Sequence, residues 1–225
     1  MNTKSMGIAL LSAAALLGGT AAQAELPWTY GEFGYSRADG SEDFQTDAYD
    51  LKASIGFADK WHASVGYLDG TTENGNNPDT DFDGWNLIVG AHPQLTTNTQ
   101  LIADLTYFNY DIDGGEGTDG YGLGLGLRHG LSDKVELMAE VWYTEGTVDS
   151  NSPFSQDFDY NNTAIEFGAR YNWTPNLSTG LTVNLDGGAG AATSSSSSSS
   201  DAARFDVRWS FLGAVSDAMS PSDSY

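Results

Sequence analysis

The chain contains no cysteine. That removes disulfide frameworks, cysteine-ligated zinc and thiol catalysis from consideration. Basic residues are also scarce: 9 Lys and Arg stand against 31 Asp and Glu, a formal charge of −22. Nucleic-acid binding needs clustered Lys and Arg against phosphate, so that class is excluded as well. Beyond the N-terminus no apolar run approaches about 18 residues, which leaves no span for a helical membrane protein. Aromatics are plentiful at 12% of 225 residues, too many for a chain that stays disordered.

The first 24 residues read as a separate unit. Lys4 supplies a positive start, Met6 to Gly19 is apolar and rich in small residues, and Ala22-Gln23-Ala24 fits an A-x-A cleavage site. The expectation is a secretory signal peptide over 1–24, a β domain over 25–211 and a short tail over 212–225.

From Trp28 onward the hydrophobic pattern has a period of two. It predicts ten strands, at 28–38, 48–57, 61–69, 83–92, 99–110, 120–129, 134–146, 162–173, 177–186 and 202–211. Each is long enough for a tilted strand to cross a bilayer. The clearest runs from Tyr121 to Arg128: Tyr121, Leu123, Leu125 and Leu127 share one face, and Gly122, Gly124, Gly126 and Arg128 the other. A phosphate-binding glycine loop would need a strand before it and a helix after it, and the pattern supplies neither.

Alternation alone also fits a soluble sandwich. Three features favour a membrane barrel. Connections alternate between short turns (58–60, 93–98, 130–133, 174–176) and long loops (39–47, 70–82, 111–119, 147–161, 187–201), the asymmetry expected of periplasmic turns and external loops. Aromatics fall at matching depths. Tyr49, Tyr67, Trp85, Tyr107, Tyr121 and Tyr143 lie at the long-loop end of the apolar face, and Phe57, Trp61, Tyr171, Trp173 and Phe211 at the short-turn end. Two such bands are the girdles of a bilayer-spanning barrel. Finally, no Lys or Arg falls on the apolar face, where at mid-depth it would cost about 2–4 kcal/mol.

The final strand, Phe205-x-Val207-x-Trp209-x-Phe211, is similar to the aromatic-ended last strand of small bacterial outer-membrane β-barrels of the OmpA/OmpX-like type. The resemblance extends from Trp28 to Phe211. It implies an all-β, up-and-down antiparallel transmembrane barrel in the bacterial outer membrane. The partners it implies are the lipid bilayer, lipopolysaccharide and the outer-membrane assembly machinery, with the barrel a monomer. The chain departs from that type in two respects. Fourteen residues, Leu212 to Tyr225, follow the terminal aromatic, and ten strands are counted where the smallest members have eight. No residue role is carried over.

The polar face defines the candidate site. Its bases are Lys52, Arg128, Arg170, Arg204 and Arg208, and its acids Glu32, Asp50, Asp104, Glu136, Glu140, Glu166 and Asp206. Mixed, nearly balanced signs point to a lumen plugged by ion pairs. Segregated charge along an open path would indicate a pore, and a narrow porin-like channel stays open as the alternative. A turn centred within 130–133 predicts Arg128 directly across from Glu136. Glu166 and Arg170 share a face beside Glu140, and Arg204 and Arg208 meet Glu32 at the seam.

For chemistry the sequence offers little. His62, His92 and His129 all map to the short-turn end, away from the acidic loops, so no Ser-His-acid triad is in reach. No catalytic, cofactor or metal residue is assigned. Asp79-x-Asp81-x-Asp83-Gly84 matches the first half of a calcium loop, but its twelfth position is Gly90 where a bidentate Glu is required. Gly114 to Asp119 resembles one calcium nonapeptide, without the stacked copies such a fold needs. At most these loops predict weak divalent-cation binding. Seven consecutive serines at 194–200 read as a flexible external loop.

Overall fold

The computed structural model describes residues 27–39, 44–58, 60–74, 79–113, 116–149, 157–185 and 201–211. The signal peptide, the serine-rich run and the tail expected from the sequence lie outside them, as do most of the long loops.

Ten long strands form one antiparallel sheet: β1 (Tyr30–Asp39), β2 (Phe44–Phe57), β3 (Trp61–Asn74), β4 (Thr80–Ala91), β5 (Thr99–Ile112), β6 (Glu116–Gly130), β7 (Val135–Asp149), β8 (Phe158–Asn172), β9 (Leu177–Leu185) and β10 (Asp201–Ser210). Each pairs with its sequence neighbour, and β1 pairs with β10 from Tyr30↔Ser210 to Asp39↔Asp201. The sheet therefore closes into a barrel without free edges. The expected fold class and the count of ten hold, and eight is excluded.

Three differences from the sequence reading have local causes. Trp28 precedes β1 rather than opening it; its side chain enters the lumen on the same parity as the inward Tyr30 and Glu32. Several strands run past their expected outer ends, as β2 does by starting at Phe44 and β7 by reaching Asp149. Those extensions carry Thr and Asp, polar residues that break the hydrophobic signal while still pairing in the ladder. A three-residue strand, Gln94–Thr96, also sits within the turn before β5.

A further correction concerns register. The β6–β7 turn is Leu131 to Lys134, one residue later than expected. Leu131 N–H donates to the Val135 carbonyl at 2.8 Å, and Ser132 Oγ accepts from Lys134 and Val135 N–H at 3.3 and 3.1 Å. The turn centre moves by one, so the register moves by two: Arg128 faces Met138, and Glu136 faces Gly130. Thr174 shapes the β8–β9 turn in the same way, accepting from Asn176 and Leu177 N–H at 3.3 and 3.0 Å.

The barrel is inverted relative to a soluble protein. Phe33, Leu51, Val65, Leu87, Leu105 and Leu123 face outward and are exposed around its middle. A continuous apolar band of this kind is stable against lipid and unstable against water. Rings border it at both ends. Trp85, Tyr107 and Tyr121 pack in a row across β4, β5 and β6, with centroids 5.4 and 5.3 Å apart. Tyr171 and Trp173 meet edge-on at 4.7 Å at the opposite end.

Candidate functional site: the lumen

The inward faces of the ten strands divide the lumen into three levels. At the short-turn end, the segment before β1 folds across the opening. The Trp28 indole stacks on His62 and His92, with centroids 4.1 and 4.4 Å away. The two imidazoles are only 5.6 Å apart, so they share one face of the indole. Arg128 stands 5.0 Å from the same ring. Trp28 Nε1–H donates to Gln100 Oε1 at 3.1 Å, and Gly56 leaves room for the segment, since a Cβ there would meet Trp28 Cβ at 3.0 Å. Beside this floor Arg128 grips Glu136 with two parallel bonds, Nε to Oε1 at 2.6 Å and NH2 to Oε2 at 2.9 Å. Arg128 is 3% exposed. The pair is diagonal across β6 and β7, and the long guanidinium arm spans the two-residue offset that the sequence register did not contain.

The middle level holds a second ion-pair cluster on β10, β1, β2 and β8. Glu32 is its hub. Glu32 Oε2 accepts from Arg208 Nε at 2.6 Å and Arg170 NH2 at 3.1 Å, and Oε1 accepts from Arg204 NH2 at 2.8 Å. Arg204 also binds Asp50 through both oxygens, at 2.8 and 2.6 Å. Asp206 lies 2.7 Å from Arg170 and 3.2 Å from Arg204. The Arg208 guanidinium covers the Tyr30 ring at 3.8 Å. Buried charges survive only when matched like this, with hydrogen bonds taking up their lone pairs.

The remaining carboxylates lie on β5, β7 and β8, with Glu166 on the same strand as Arg170. Glu140 and Glu166 face one another directly in the β7–β8 register. Asp104 on β5 sits 3.4 Å from His62 Nε2. Among the described residues no Lys or Arg nitrogen reaches ion-pair distance of these three, and Lys52 forms no such pair either.

The upper level is aromatic, which the alternation did not single out. Phe82 and Phe108 are buried inside the barrel, with Phe108 stacked on Tyr110 at 5.6 Å. Glycines opposite let the rings lie against the wall. A Cβ at Gly70 would meet the Phe82 ring at 2.5 Å, and one at Gly120 the Phe108 ring at 2.6 Å. Inward Phe with inward Gly directly across on the neighbouring strand was the available signal, but period two assigns a face without saying which aromatic faces are dry. Just outside the outer girdle, the Tyr35 hydroxyl donates to Asp47 and holds that carboxyl below its usual range.

A cavity of about 360 Å³ remains between these levels, touching Trp28 at one end and Ser36 and Asn184 at the other. Ten of the eleven predicted girdle residues are exposed on the outer surface and Tyr107 is half-buried; Tyr67 and Trp85 also border the cavity. Of the histidines, His62 and His92 enter the lumen floor, and His129 is buried against Thr99, with Thr99 Oγ1 and His129 Nδ1 2.9 Å apart. Asp81 and Asp83 lie on β4 and bond across to β3, to Thr71 at 2.7 Å and Tyr67 at 3.1 Å, so the half calcium motif is strand rather than a chelating loop.

No protein-family model matches the chain, and no curated protein is similar to it in sequence. Solved structures do resemble its fold. The translocator domain of the autotransporter NalP from Neisseria meningitidis is 11% identical with a TM-score of 0.50, over 93% of this chain and 95% of that one. The NanC porin is 10% identical with a TM-score of 0.47, over 80% of this chain and all of that one, at 100%. The KdgM porin is 12% identical with a TM-score of 0.41, covering 80% and 99%. With a closed ten-strand barrel, a lipid-facing band and two aromatic girdles, the chain has the fold of a bacterial outer-membrane β-barrel protein.

Proposed function

We propose that this protein is a non-enzymatic, monomeric outer-membrane barrel whose lumen is closed to bulk flow and whose role is structural or surface-interacting. The observation that carries the reading is the floor. Trp28 lies across the short-turn opening, held by His62, His92, Gln100 and Arg128, and the Arg128–Glu136 pair fills the space beside it. Above it the Glu32 cluster ties four strands together across the interior. A lumen occupied this way stiffens the barrel and leaves the external loops as the surface that meets partners. In this reading the barrel is delivered by its signal peptide and the envelope's barrel-assembly machinery. Lipopolysaccharide packs against the outer girdle, and the acidic loops bind divalent cations weakly.

A narrow porin-like channel is the second reading, favoured by the cavity that runs from Trp28 to Asn184. Proteoliposome swelling with small sugars separates the two. The closed reading predicts no more swelling than empty liposomes, and faster swelling once Trp28 is replaced by Ala. Rapid swelling with the unaltered protein selects the channel.

A further inference from the structure

We infer that the lumen cavity is a binding site for a small organic dication with N–H donors, a short aliphatic diamine in its protonated form. The inference does not depend on whether the lumen conducts, only on which groups face the cavity.

The charges in the lumen do not cancel uniformly. Arg128 is matched by Glu136, and Arg170, Arg204 and Arg208 by Glu32, Asp50 and Asp206. What remains is Lys52 against Asp104, Glu140 and Glu166, all four lining the cavity. In formal charge the acids exceed the base by two, on β5, β7 and β8.

Most of the unmet hydrogen-bonding atoms at the cavity are oxygens. Among the described residues, Asp104 Oδ1, Glu140 Oε1, Asn184 Oδ1 and His62 Nδ1 are buried without a hydrogen-bond partner, and all four residues line the cavity, with His62 Nε2 3.4 Å from Asp104 Oδ1. Glu140 is 6% exposed, so its free oxygen has no access to bulk water. Glu140, Glu166 and Asn184 stand side by side across β7, β8 and β9 in the register. The three oxygens are acceptors, and buried acceptors require donors. A ligand with ammonium groups supplies both the donors and the positive charge.

The space fits such a ligand. Gly124 and Gly126 of β6 face inward between Asp104 and Glu140, so no side chain from that strand fills the gap. Trp142 and Tyr110 line the same cavity, and aromatic faces favour a cation beside them. The carboxylates are too dispersed to chelate a metal ion: among the described residues no group of His, Asp and Glu is placed to hold one. Two dispersed charges suit a molecule with two separated ammonium groups better than one compact ion.

The test is calorimetric titration of putrescine into the full-length, detergent-extracted barrel near neutral pH, in about 0.15 M salt so that exposed charges are screened. One saturable site is expected. A neutral diol of the same length should not bind, and Glu140→Gln and Asp104→Asn should each weaken putrescine by at least about tenfold through loss of a charge-assisted pair. Glu73→Gln, an exposed change at the outer end of β3, should leave the titration unaltered. Folding of each variant is read from the mobility of unheated samples on a denaturing gel, and Glu166→Gln replaces any variant that fails to fold. No heat, equal binding of the diol, or equal binding by wild type and the lumen variants overturns the inference; the last outcome assigns putrescine to the acidic exterior.

Discussion

Arg128 is the side chain whose loss has the largest expected cost. Its removal strands Glu136, charged and buried, and takes one support from Trp28. Arg128→Ala should lower unfolding stability by about 3–5 kcal/mol, while the double change with Glu136→Ala should recover much of that. Urea titrations in liposomes measure both, and equal losses in the single and double variants would contradict a paired charge. Lipid-facing positions obey the opposite rule. Leu125 is 59% exposed on the outer face, and Leu125→Arg should cost about 2–4 kcal/mol near mid-depth. Gly124→Ser should cost less, because the atoms a Cβ meets there, at 2.9 Å, are the far ends of Glu140 and Trp142. Gly126→Ser should cost more than Gly124→Ser, because its Cβ would meet the Ala139 carbonyl, fixed backbone, at 2.5 Å.

At the scale of elements, the turns carry the testable detail. Ser132 and Thr174 each accept two backbone N–H groups within a short turn. Replacing either by Ala should cost about 1 kcal/mol, the ordinary net worth of such bonds. Ala58, in the β2–β3 turn, has φ of 49°. Ala58→Gly should raise stability by up to about 1 kcal/mol, since the left-handed region strains a Cβ. A fall in the urea midpoint would contradict that. The strands themselves were legible because lipid outside and charge inside impose a strict period of two. Tyr121 to Arg128 shows it without exception. The register was not legible, because a hydroxyl within the turn moves its centre by one residue and leaves the hydrophobic pattern untouched. Arg128 and Glu136 could be matched by charge, but their diagonal geometry depends on that shift. Trp28 was read as the first strand residue because it is in phase with the inward Tyr30 and Glu32; its stacking on His62 and His92 across the opening was not legible from that phase.

The whole molecule joins two opposed demands. Its exterior must dissolve in hydrocarbon, and its interior must keep charged groups from being stranded. The girdles at Tyr121 and Trp173 mark where the first demand ends, and the Glu32 hub meets the second by holding β1, β8 and β10 through three guanidinium groups. Pattern revealed the barrel because every strand repeats the same division. The Trp28 floor was invisible to pattern because it is made once, by a segment outside the ladder. The central claim is that this mouth is closed. Single-channel recording of the full-length protein in a planar lipid bilayer tests it most directly. The account predicts little or no current from the unaltered barrel, and discrete openings when Trp28 is replaced by Ala. A steady, large current from the unaltered protein would contradict it.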